Sequence, residues 1–278
     1  MAENSPIIVV TEKKDEISVK PKKNVSWFSE NWRAVLSEFV STTSLLFLGC
    51  MTCVPIDGLP MNPPIYSTLG FGLVVLINIQ TFGHISGAHM NPAVTLAAVI
   101  WGKMSIALGT VYALAQISGA FVGYGILIAL SPVDLSSGVC VTRPHVKHSE
   151  CQALGVEIVL TVILVLLNCS AWDPINEKKN QCMSTMFGLS IAGLSIAGGP
   201  LTGAGMNPAR SLAPAVWTSS WKYHWVYWVG PLLGSTVAVL FYKYIWLKTK
   251  KVEEPEVLTW AGSRNIELRG CGLFILTD

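Results

Sequence analysis

The chain alternates long apolar runs with short polar gaps. Runs at 34–54, 65–83, 106–130, 152–171, 184–198 and 225–247 approach the ~20 residues that a helix needs to cross a bilayer. They predict six transmembrane helices. Two further apolar runs, at 94–100 and 211–217, are too short to span. Each follows an Asn-Pro-Ala tripeptide: Asn91, Pro92, Ala93 and Asn207, Pro208, Ala209. Asn is a favoured N-cap, and Pro suits the first helical position because its missing N–H costs nothing there. Each short run is therefore predicted to be a half-helix that enters the membrane and returns. Such backbone is tolerated at membrane depth only where it is buried in protein or lines a water-filled cavity.

The same pattern occurs twice. Residues 87–93 read Gly-Ala-His-Met-Asn-Pro-Ala, and residues 203–209, placed 116 positions later, read Gly-Ala-Gly-Met-Asn-Pro-Ala. Each half holds three spans, with the motif between the second and the third. Three is odd, so the second half enters from the opposite face. The expected architecture is an all-α membrane protein built as an inverted repeat, 34–131 and 150–247, with the two half-helices meeting near the midplane. The third span of each half carries a pair of glycines, Gly119/Gly123 and Gly230/Gly234. These either permit close helix approach or reflect the general frequency of glycine in membrane helices. The channel domain is placed at 34–247, between tails at 1–33 and 248–278.

Composition agrees. Of 278 residues, 51% are hydrophobic and 13% charged, about half the charged fraction of a soluble domain. The net charge of +2 gives no reason to expect nucleic acid as a partner. With the N-terminus cytoplasmic, the inside segments hold 15 of the 19 Lys and Arg residues, as the positive-inside rule requires. Both termini are expected in the cytoplasm. Trp172, Trp217, Trp221, Trp225, Trp228 and Trp246 fall at span ends, where an aromatic belt belongs. Lys248, Lys250 and Lys251 stand next to the last span, in reach of anionic lipid. Residues 1–26 lack the apolar core of a cleavable signal peptide. Seven cysteines do not form a disulfide framework. Cys50, Cys53 and Cys169 read as small buried hydrophobes, whereas Cys140 and Cys151 share a loop and are placed to pair if it is extracellular. Asn24 and Asn168 match the glycosylation pattern but lie on the wrong side or within the membrane.

The paired motifs, and the stretch Gly83, His84, Ile85, Ser86, Gly87, Ala88, His89, resemble the aquaporin (major intrinsic protein) family over residues ~34–247. The resemblance implies a passive plasma-membrane channel, homotetrameric, with no cofactor, no metal and no enzymatic chemistry. It also implies a selectivity filter of Phe71, Ser195, Ala204 and Arg210. Water-selective members usually carry His at the Ser195 position, and many carry Cys at the Ala204 position. The smaller residues here widen the pore, Phe71 offers carbon atoms an apolar wall, and Arg210 with Ser195 can bond hydroxyls. Such a filter on a water-channel frame is similar to that of the insect entomoglyceroporins. The expected permeants are water, glycerol and urea. The alternatives are strict water selectivity, an ion-coupled secondary transporter, and a junctional membrane protein with little conductance.

The motif carries its own physics. Two helix N-termini facing one another place about half a positive charge each at the midplane, which opposes cations. Asn91 and Asn207 can donate to a water there and turn its hydrogens outward, breaking a proton wire. Carbonyls at 84–90 and 199–205 supply acceptors along the pore. Arg210 is expected to repel cations, since an Arg in a membrane segment is costly and functional. Val94 holds the matching place in the first half. Glu38 and Glu157 are repeat mates. They either couple protons or accept hydrogen bonds from the re-entrant loops, and their symmetry favours the second. His89 is expected to line the pore and His84 to tie the loop down. His145 and His148 lie in the extracellular loop, where pH sensing is the alternative to a plain polar role.

Overall fold

The computed structural model describes residues 26–55, 63–176 and 182–247, and strands at 257–260, 264–269 and 273–276. The tail at 1–25, Asn24, Lys248, Lys250 and Lys251 lie outside the described residues. In chain order the helices are α1 (Trp27–Met51), α2 (Pro64–Ser86), α3 (Pro92–Trp101), α4 (Ile106–Leu130), α5 (Glu150–Trp172), α6 (Met183–Thr202), α7 (Pro208–Trp217) and α8 (Val226–Phe241). Among the described residues, six helices are long and apolar enough to cross a membrane, the last counted as Val226–Trp246. The two short helices α3 and α7 follow the Asn-Pro-Ala motifs.

Local chemistry sets the ends. Asn91 and Asn207 cap α3 and α7 with extended backbone, at φ −154° and −150°. Asn91 Oδ1 accepts from Ala93 N at 2.8 Å, and Asn207 Oδ1 from Ala209 N at 3.0 Å. Ser149 opens α5 with a capping box, in which Gln152 reciprocates. Helix α1 begins at Trp27, inside the segment expected to be tail. Trp27, Phe28 and Trp32 are exposed on its first turns, and interfacial aromatics of this kind anchor a helix at the headgroup level.

Close approach at glycine holds the bundle together. A Cβ on Gly119 would run into the Phe39 carbonyl, and one on Gly123 into the Thr43 carbonyl, both on α1. In the second half, Gly230 lies against Glu157 and Gly234 against the Ile158 carbonyl, both on α5. The glycine pairs thus seat the third span of each half against its first. Helix α2 packs on α6 across the two halves, where Gly72 and Gly188 abut.

Two details differ from expectation. Cys140 is bonded to Cys50 at the end of α1, with a Cα–Cα distance of 5.3 Å. Cys151 is free and exposed. The long loop carrying Cys140 crosses the end of α1, whereas Cys151 faces outward from the first turn of α5. Helices α2 and α6 also run further than predicted, to Ser86 and Thr202, so the irregular backbone shrinks to 87–90 and 203–206. The membrane region is all-helical, as expected. Past the last span, the described residues include a three-stranded antiparallel sheet ordered β1 (Val257–Trp260), β2 (Arg264–Arg269), β3 (Leu273–Leu276). Val257 pairs with Glu267, and Ile266 with Leu276.

Candidate functional site: a pore between two half-helices

The irregular stretches leading into α3 and α7 have nearly the same backbone. Gly87 and Gly203 close α2 and α6 at φ 89° and 79°, Ala88 and Ala204 both sit at 47°, and Met90 and Met206 both at 50°. Left-handed backbone at Ala and Met is strained and persists only where the surroundings determine it. Two buried carboxylates do so. Glu38 accepts from Ser86 Oγ (2.7 Å), His89 N (2.9 Å), Met90 N (2.8 Å) and Gln116 Nε2 (2.8 Å). Glu157 accepts from Thr202 Oγ1 (2.6 Å), Gly205 N (2.9 Å) and Met206 N (2.7 Å). Both carboxylates are fully buried. Without them these N–H groups would be orphaned at membrane depth. Every carboxylate oxygen is thus occupied by a donor.

The two motifs hold each other. Asn91 Nδ2 donates to Met206 O at 2.9 Å, and Asn207 Nδ2 donates to Met90 O at 2.7 Å. An amide nitrogen carries two hydrogens, so each Asn keeps one for the cavity it lines. That cavity is about 570 Å³ and is walled by Phe71, His89, Asn91, Val94, Ser195, Ala204, Asn207 and Arg210, among others. The four filter residues expected from sequence therefore share one cavity with both Asn residues and His89. Arg210 is half-buried. Its guanidinium stacks on the Phe71 ring at 4.8 Å, and Nη1 donates to the Cys140 carbonyl at 2.6 Å.

At the other end of the cavity, the His89 ring faces Tyr112 (5.7 Å) and Trp172 (6.2 Å). Its Nδ1 is 3.1 Å from Thr95 Oγ1. Trp172, expected in the interfacial belt, instead walls the cavity. It packs against Trp101 at 5.9 Å, with the Lys103 ammonium over its ring.

His84 does not tie the loop down. It is exposed on α2, and among the described residues its side chain makes no hydrogen bond. A helix that runs to Ser86 points His84 outward, and Ser86 takes the anchoring place. Ser86, Thr202, Tyr112, Tyr227 and Gln116 were not singled out from sequence. The repeat offset holds a signal for two of them. Ser86 and Thr202 are 116 residues apart, like the motifs. Tyr112 Oη donates to Ser86 O at 3.3 Å, and Tyr227 Oη to Thr202 O at 2.6 Å. Asn168 is buried with its amide bonded to Leu164 O, which leaves it no role as a glycan acceptor. His145 and His148 meet edge to face at 5.7 Å by the end of α6. No group of three or more metal-ligating side chains occurs among the described residues.

The chain is similar to known proteins. The major intrinsic protein family model matches residues 26–242. Aquaporin-4 of Mus musculus is 38% identical over 223 residues, covering 79% of this chain and 69% of that protein. The lens fiber major intrinsic protein of Lithobates pipiens is 36% identical over 239 residues, 86% of this chain and 90% of that protein. Among solved structures, the aquaglyceroporin from Plasmodium falciparum superposes with a TM-score of 0.69 at 29% identity, covering 77% of this chain and 96% of that one. With six spans, two opposed half-helices and a family match across nearly all of the membrane region, the chain belongs to the major intrinsic protein family, the aquaporins, and is a multi-pass membrane channel rather than an enzyme.

Proposed function

We propose that this channel passes glycerol and urea as well as water, down their gradients, and excludes protons and ions. The observation that carries the reading is the make-up of the Arg210 end of the cavity. Phe71 and Arg210 meet there, and Ser195 and Ala204 line the same cavity. Two of these are small, one is an apolar ring and one is a fixed hydrogen-bond donor. A polyol presents carbon on one side and hydroxyls on the other, which matches a Phe71 wall facing Arg210 and Ser195. The pattern supports a filter like that of the entomoglyceroporins. Exclusion of cations follows from the charge on Arg210 and from the N-termini of α3 and α7, which meet where Asn91 and Asn207 exchange hydrogen bonds. The free amide hydrogens of the two Asn residues orient a passing water so that it cannot relay a proton. His89 and the carbonyls at 87–90 and 203–206 continue the polar track.

The protein works in this reading as a homotetramer in the plasma membrane, with both termini cytoplasmic. Exposed apolar residues such as Leu36, Leu73, Val159 and Leu233 supply the surface that lipid and neighbouring copies cover. Glu38 and Glu157, held by their ligands, argue against ion coupling.

Stopped-flow light scattering on reconstituted protein tests the proposal. Vesicles are expected to shrink rapidly under an impermeant osmolyte and to re-swell in glycerol and urea, with no ion gradient. Water flux without glycerol entry would leave a strict water channel. A requirement for an ion gradient would favour a coupled transporter, and negligible flux from folded protein a junctional role.

A further inference from the structure

Arg210 is held between two walls that do not move independently. One wall is the Phe71 ring, 4.8 Å from the guanidinium carbon. The other is the Cys140 carbonyl, which accepts from Nη1. Both walls rest on adjacent residues of α1. Gly49 makes room for Phe71, because a Cβ there would lie 2.6 Å from Phe71 Cε1. Cys50, fully buried, is bonded to Cys140. Neither Gly49 nor Cys50 lines the cavity.

Cys140 itself has left-handed backbone, φ 66°, which a non-glycine residue keeps only under external constraint. That backbone aims the carbonyl at Arg210. Its neighbours are tied at other points. Val139 O accepts from Tyr124 Oη at 2.8 Å, Arg143 Nη2 donates to Ser220 Oγ at 2.9 Å, and His145 N donates to Leu201 O at 2.8 Å. Apart from its link to Cys50, Cys140 meets the rest of the protein through this one carbonyl contact and the apolar packing around it.

We propose that the last helical turn of α1, at Gly49 and Cys50, through the Cys50–Cys140 disulfide, is a positioning element that fixes the Arg210 guanidinium and thereby sets the solute selectivity of the pore. Cys50 and Gly49 are positioning residues and touch no permeant. The inference rests on the filter reading given above. Without the bond, the carbonyl is free to turn from Arg210, and Nη1 gains the freedom to swing into the aperture. A solute that fills the aperture and needs matched donors suffers more from this than water does.

The test uses the intact channel in liposomes. Oxidised wild type is compared with the same vesicles after reduction by dithiothreitol, which supplies two electrons and two protons and leaves two thiols, with reduction verified by mass spectrometry. A Cys50→Ser/Cys140→Ser variant serves where reductant does not reach the buried sulfur. The glycerol-to-water permeability ratio is expected to fall about threefold or more, the scale of one hydrogen bond. Reoxidation is expected to restore it. In an Arg210→Val background the same reduction should leave the ratio unchanged. If reduction and the double variant both leave the wild-type ratio intact, the clamp is overturned. It is equally overturned if reduction shifts the ratio as much without Arg210 as with it, since the bond would then act on the fold at large. If oxidised wild type passes water alone, the solute reading fails. The clamp is then judged on water permeability, which should fall on reduction only while Arg210 is present.

Discussion

The two halves of the channel share a backbone and differ in what they place on it. Between 87–93 and 203–209 one residue changes, His89 against Gly205. The exchange is not neutral. His89 projects into the cavity and forms part of a ring cluster with Tyr112 and Trp172. A Cβ at Gly205 would lie 2.6 Å from Tyr227 Cδ1, 3.0 Å from Ser211 Oγ and 3.1 Å from Glu157 Oε2. The same loop therefore leaves pore space in one half and is packed solid in the other. The second half gains its polar group one turn later, at Arg210, where the first has Val94. The repeat builds the frame, and departures from it build the two ends of the pore.

Removing the shared frame should have the largest effect. Glu157→Ala leaves three buried donors without an acceptor, at an expected cost of about 3–6 kcal/mol. Glu38→Ala orphans two, His89 N and Met90 N, while Ser86 Oγ and Gln116 Nε2 keep Ser37 Oγ and Thr95 Oγ1 as partners, and is expected to cost slightly less. Thermal unfolding in detergent measures both, and flux should vanish with the fold. Equal tolerance of either change would show that the carboxylates do not hold the loops.

Exchanging the single differing residue comes next. Gly205→His should destabilise by about 1–3 kcal/mol through overpacking against Tyr227 and collapse water flux. His89→Gly should cost about 1 kcal/mol and keep water flux. Similar outcomes for the two swaps would erase the asymmetry just drawn.

Arg210→Val makes the second half match the first. Glycerol and urea permeability relative to water should fall about tenfold, the scale of the charge-assisted hydrogen bond the solute loses, and a proton leak should appear with a pH-sensitive dye. The smallest effect is expected from Ser195→His, which narrows the filter without removing the Arg. Here the glycerol-to-water ratio should fall about threefold, ~0.7 kcal/mol. Equal loss of both fluxes would count against Ser195 as a selectivity residue.

The frame was legible in the sequence because it depends on local rules. Span length, the Asn cap, Pro at the first helical position and the doubled motif each follow from a few neighbouring residues. The repeat order then forces the inverted topology. What stayed hidden depends on contacts between distant segments. Cys50 looked like any apolar-segment cysteine, because its partner lies 90 residues away in a loop with no periodicity. Trp172 looked like a belt residue because its span ends there, yet the end of that helix turns toward the cavity. His84 looked like a loop anchor because α2 was expected to stop before Ser86. Transferring each first-half feature to its mate 116 residues on would have paired Ser86 with Thr202. No such rule reaches Cys140.

The crossed bonds between Asn91 and Met206 O, and between Asn207 and Met90 O, have a consequence for biosynthesis. Asn91 leaves the ribosome 115 residues ahead of its acceptor. At about 5–20 residues per second, the first re-entrant loop waits on the order of ten seconds with its amide and the Met90 carbonyl unmet by protein. Lipid cannot satisfy them. The nascent first half must therefore keep this loop in water or within the insertion machinery until the second half arrives. Membrane integration of this chain is for that reason a joint event of both halves rather than six successive insertions.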